Sequence, residues 1–141
     1  MLPNGDRSMS GVGPWIAVQP GENRAAILGN LPMKAGVVHR FKIPLSVVPA
    51  TAAGILVFAW VGISSNQAGG TYWHVAVGVP GGGENFFSLL VKYSSGGSAT
   101  NSQAFWLPMP ADRIVSATMF GADLPDDSNT GEVEIHGYYP A

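Results

Sequence analysis

Ile55-Leu56-Val57-Phe58-Ala59-Trp60-Val61-Gly62-Ile63 is the stretch on which the fold turns. It closes a longer uncharged run, residues 47–63, which just reaches the lower limit of about 17 residues for a membrane-spanning helix. Pro49 and Gly54 interrupt that run, and the β-branched and aromatic side chains after them suit a buried strand. In a strand, Ile55, Val57, Val61 and Ile63 share one face, with Leu56, Phe58 and Trp60 on the other. Both faces are therefore expected to be covered, and no membrane partner is expected.

The period of two recurs on either side of this strand. In Val37 to Ile43, the residues Val37, His39, Phe41 and Ile43 alternate with Val38, Arg40 and Lys42. In Thr71 to Val79, Trp73, Val75, Val77 and Val79 oppose Tyr72, His74 and Ala76. In the closing segment Val133, Ile135 and Tyr139 oppose Glu132, Glu134, His136 and Tyr138. Further strands are expected at Trp15 to Val18, Ala25 to Leu28, Asn85 to Tyr93, Gln103 to Leu107 and Arg113 to Phe120, and the strand from Val37 is expected to run to Val48 with a break near Pro44. Nineteen Gly and eleven Pro separate these segments, and no apolar 3.6-residue period lasts long enough for a helix. The pattern predicts an all-β protein, a two-sheet antiparallel β-sandwich of about eight strands, jelly-roll-like. Residues 1–14 are expected to form a polar N-terminal arm and residues 15–141 a single sandwich domain.

Charge is the second signal. Charged residues make up 11% of the 141 residues and hydrophobic residues 46%, against roughly 25% charged in an ordinary domain. From Ile43 to Gly83 there is no Asp, Glu, Lys or Arg. The deficit therefore lies in the surface, and charge-poor surface is what a lasting subunit interface presents. Seven scattered basic residues and a net charge of −2 speak against a nucleic-acid partner. The absence of Cys excludes disulfides and thiolate chemistry. The start, MLPNGDRSMS, has no basic region followed by an apolar one, so no signal peptide is expected.

Few residues ask for chemistry. Gly81 to Gly83 lack the Lys-Ser or Lys-Thr and the helix of a phosphate loop and read as a wide turn. Asp126, Asp127 and Asn129 are the candidate calcium ligands, because hard oxygen donors gather there around a turn. A solvated hairpin turn uses the same residues. Glu132, Glu134 and His136 line one side of the last strand at about 7 Å per step, which suits a solvent-facing stripe better than a catalytic pair. No serine elbow occurs, and nothing in the spacing of His39, His74 and His136 asks for zinc. Catalysis is not expected, and no cofactor beyond calcium is indicated. Trp60 and Trp73 lie in apolar strands and are expected in the core. Trp15, Trp106, Tyr138 and His136 remain as candidate ligand or interface residues, flat rings with polar neighbours that would suit a sugar face in a carbohydrate-binding module or lectin.

The strand count, the charge-poor middle Gly54 to Val79, the Pro-flanked Phe105-Trp106-Leu107-Pro108-Met109-Pro110, and the closing Thr130-Gly131-Glu132-Val133-Glu134-Ile135-His136-Gly137-Tyr138-Tyr139 resemble small single jelly-roll virion proteins of viruses and phages. The resemblance covers most of the chain and rests on pattern. It implies a structural subunit of a capsid, in a virion assembled in the host cytoplasm, self-associating as a homo-oligomer through sandwich edges and loops and contacting other capsid subunits. Unlike the shell-forming coat proteins of small RNA viruses, this chain has no basic N-terminal arm. That departure favours a minor, vertex or decoration subunit.

Overall fold

The structure, a computed structural model, describes residues 14–18, 26–64, 69–93, 98–124 and 129–141. Among them are nine strands: β1 (Ile16–Ala17), β2 (Ala26–Asn30), β3 (Val38–Lys42), β4 (Ala52–Ile63), β5 (Gly69–Gly78), β6 (Glu84–Tyr93), β7 (Ala99–Pro108), β8 (Ile114–Gly121) and β9 (Asn129–Pro140). Every strand pair is antiparallel. One sheet runs β2-β9-β4-β7, with the short β1 continuing along the same edge of β9; the other runs β3-β8-β5-β6. From β2 onward consecutive strands cross between the sheets at every step except the β5-β6 hairpin, which is the strand order of an eight-stranded jelly roll, with β1 as an addition. The β-sandwich expected from alternation is the fold found.

Alternation places the core between the sheets. β4 contributes Ile55, Val57, Val61 and Ile63, and β5 contributes Trp73, Val75 and Val77, all buried. Val115, Ala117 and Met119 of β8 and Val133 and Ile135 of β9 complete the centre. Burying each large side chain contributes roughly 1.5–3 kcal/mol. Trp73 is fully buried, yet its indole N–H is satisfied, donating to Pro32 O at 2.7 Å. The charge-free run therefore contains the central strand β4, and among the described residues no helix is long and apolar enough to cross a membrane.

Two local features depart from the sequence reading. The strand from Val37 ends at Lys42, because Pro44 starts a turn in which Val47 and Val48 N–H both reach Pro44 O. Arg113 then ties this turn down, its Nε donating to Ile43 O at 3.1 Å and its Nη2 to Val48 O at 2.7 Å. The second departure is in β9. Gly137 lies opposite Leu56 while Ile135 lies opposite Val57, so His136 is the extra residue of a β-bulge. A bulge inverts the alternation beyond it. Tyr138 consequently faces inward, opposite Ile55 and packed against the core, and Tyr139 faces outward.

Candidate functional site

The outer face of the β9-β4 sheet carries the residues that the sequence singled out, with one exchange. Trp15 precedes β1 and lies over Gly137; a Cβ at that glycine would sit 2.6 Å from the indole ring. Glycine at this position is what lets the ring lie flush on the strand. Trp106, on the outer face of β7, meets Trp15 edge-on at 5.6 Å and stacks on Tyr139 at 4.3 Å. Trp15 and Trp106 are thus brought together from positions far apart along the chain. Tyr138, the tyrosine named from alternation, is displaced inward by the bulge, and Tyr139 takes its place on the face.

Beside this trio lies a hydrogen-bonded array. His136 stacks on Phe58, with ring centroids 4.6 Å apart and 15° between planes. Its Nε2–H donates to Glu134 Oε1 at 2.9 Å. The other Glu134 oxygen accepts from Trp60 Nε1 at 3.1 Å, and the same indole N–H reaches Glu132 Oε1 at 3.2 Å. Glu134 is consequently only 6% exposed, a buried carboxylate and not one tooth of a solvated stripe. Trp60 belongs to this outer array, half-buried, and not to the core. Both oxygens of Glu134 are committed to structural donors, so it is not placed as a free base or nucleophile.

The calcium candidates fall partly outside the described residues, which include neither Asp126 nor Asp127. Asn129 is buried, and its Oδ1 accepts the Ser64 N–H at 2.9 Å, tying the start of β9 to the end of β4. Among the described residues no group of three or more His, Asp or Glu side chains could hold a metal ion. A cleft of about 410 Å³ opens near Asn129, between His39, Lys34 and Thr130. His39 turns its Nδ1–H to Asn30 O at 2.8 Å. Gly81, Gly82 and Gly83 all have positive φ (88°, 105° and 83°), the open turn between β5 and β6 that three glycines permit.

The outer face of the β3-β8-β5-β6 sheet holds a second aromatic array that sequence reasoning noted only as the minor side of alternating strands. His74 stacks on Phe86 at 4.4 Å and Tyr72 on Phe120 at 5.0 Å, and His74 and Phe120 join the pairs at 4.9 Å. Leu90 lies opposite Tyr72 on the adjacent strand. Phe86 and Leu90 are each 48% exposed. The signal was in the sequence as Tyr72, His74 and Phe86 at outward positions, but only the register sets them side by side.

No protein-family model matches the chain, and no curated protein sequence matches it. Among solved structures it is similar to a subunit of Bacillus endospore appendages, described as a novel family of disulfide-linked pili, at 11% identity and a TM-score of 0.41, over 96% of this chain and 99% of that one. It is also similar to the Eiger TNF of S. frugiperda, at 13% identity and a TM-score of 0.39, over 86% of this chain and 92% of that one. Likenesses this distant assign no family.

Proposed function

We propose that this protein is a non-catalytic structural subunit that self-associates, as a minor, decoration or coat component of a virion would. The observation that carries this reading is the outer face of the β3-β8-β5-β6 sheet. Tyr72, His74, Phe86, Leu90 and Phe120 form a continuous aromatic and apolar surface there. Charged side chains stand only at its margins: Arg40 and Lys42 on β3, and Glu84 and Lys92 at the two ends of β6. Contiguous apolar surface of this kind on a soluble domain marks a site of association, and depletion of charge at the centre with charge at the rim is the anatomy of an interface. Other capsid subunits would be partners of the same chemistry.

The test is absolute mass in solution, by size exclusion with light scattering across a hundredfold concentration range. A defined oligomer or larger particle is expected. A monomer at every concentration overturns the reading.

A second reading has its own observation. Trp15, Trp106 and Tyr139 present ring faces beside the polar array of His136, Glu134 and Glu132, which suits a saccharide. Binding on a glycan array that falls to background in Trp106→Ala would support a carbohydrate-binding module. Background binding by the wild type would remove it.

A further inference from the structure

We infer that the free edge of β6 pairs with the same edge of a second copy of this chain, about a two-fold axis at Ser88. The inference rests on the self-association reading and names the contact that would carry it.

Among the described residues β6 is an end strand, paired in the ladder with β5 alone. Which of its backbone groups face outward follows from the hairpin. The Val79 N–H reaches Gly83 O at 3.2 Å, and Gly78 lies opposite Glu84 in the next position. Hydrogen-bonded and non-hydrogen-bonded pairs alternate along an antiparallel ladder. The odd-numbered residues of β6 therefore bond to β5, and Glu84, Phe86, Ser88, Leu90 and Lys92 turn their N–H and C=O groups to the free edge. An independent contact agrees with this parity: Asn101 Nδ2, reaching over from β7, donates to Leu90 O at 2.6 Å. A carbonyl oxygen has a second lone pair, so that contact leaves an acceptor for a neighbour.

Long edges of this kind are normally protected by central charges, Pro or bulges. β6 has none of these: its pairing with β5 runs without a register shift, and its charges sit only at its ends. Those ends fit the proposed axis. With Ser88 opposite Ser88 of the second copy, each outward-bonding residue meets another outward-bonding residue, so the backbone groups match. Glu84 then lies opposite Lys92 of the second copy, and Lys92 opposite its Glu84, two complementary pairs from a single register. Phe86 falls opposite Leu90 of the second copy on the exposed face, joining the two half-exposed apolar side chains of each strand into cross-strand pairs. The pairing doubles the four-stranded sheet and merges the two Tyr72–His74–Phe86 surfaces into one. The neighbouring edge strand, β7, carries no charged side chain to repel its own copy across the same axis.

The register gives a charge test and a distance test. Lys92→Glu turns both complementary pairs into like-charge pairs and is expected to raise the dissociation constant of the dimer about tenfold. The double variant E84K/K92E restores both pairs and is expected to return to the wild-type value. In parallel, Ser88→Cys introduces the sole cysteine of the chain. At a directly opposed hydrogen-bonded pair the Cα atoms lie about 5.5 Å apart, inside the roughly 4.4–6.8 Å range of disulfides. Mild oxidation should give a covalent dimer, whereas Ser116→Cys, on the outer face of β8, should not. If wild type is monomeric at all concentrations, self-association fails and this pairing with it. If wild type assembles but K92E assembles equally well and S88C cross-links no faster than S116C, the edge pairing is overturned while self-association stands.

Discussion

The hydrogen bond between His136 and Glu134 offers the most decisive check on the outer array. His136→Phe keeps a flat ring to stack on Phe58 but removes the donor to Glu134 Oε1, which the wild type holds at 2.9 Å. A carboxylate 6% exposed then keeps one donor, Trp60 Nε1, which it already shares with Glu132. A hydrogen bond to a charged group is worth about 1.5–3 kcal/mol. Because His136 is about one third exposed, water reaches part of the gap, and a loss of about 2 kcal/mol is expected. In urea unfolding at neutral pH this lowers the midpoint by roughly 1 M with an unchanged slope. The companion variant is Glu134→Leu, which removes the buried carboxylate and leaves the Trp60 N–H its bond to Glu132. In the H136F background this second change should cost little, giving a coupling energy of at least about 1 kcal/mol in the double-mutant cycle. Unfolding must be compared at one low protein concentration, since association would shift the midpoint by mass action. An H136F midpoint within about 0.2 M of wild type, or strictly additive variants, would refute the claim that His136 holds Glu134 in place.

Three further outcomes follow from the fold. Trp73→Phe leaves a void and strips Pro32 O of its donor at 2.7 Å, so a loss of about 3 kcal/mol is expected by chemical denaturation. Arg113→Ala removes the bonds to Ile43 O and Val48 O while leaving a non-glycine residue at φ 60°; a loss of about 2 kcal/mol is expected, and Arg113→Gly should be milder because glycine relieves the strained backbone. Gly137→Ala puts a methyl group where the Trp15 ring lies, so Trp15 should leave the face, seen as a red-shifted tryptophan emission with β-sheet circular dichroism retained.

Most of the strand plan was legible in one dimension. A sheet buried on one side alternates, and Thr71 to Val79 alternates cleanly, so the inward set Trp73, Val75 and Val77 could be read directly. Ile55 to Ile63 is legible as a strand and forms most of β4, but its second face, with Phe58 and Trp60, is covered by an array of side chains from β9 and not by another layer. The candidate site was legible in part. Trp15, Trp106 and His136 lie on one face as candidate contact residues, while Tyr138 gave way to Tyr139. Alternation cannot anticipate a single inserted residue, and the bulge at His136 inverts every assignment after it.

What the sequence determined by itself is the local part: strands from a period of two, turns from Gly and Pro, and a chain poor in charge. These depend on neighbours along the chain and on composition, which the sequence states outright. What only the tertiary structure decided is the register between strands. Register carries Trp15 onto Gly137 and Trp106, closes Trp60 and His136 around Glu134, and sets Phe86 and Leu90 on an open edge with Glu84 and Lys92 at its ends. Those meetings join residues distant along the chain, and strand pairing depends on which hydrogen-bond ladder and which core packing win together, a choice made by the whole sandwich and written in no single segment.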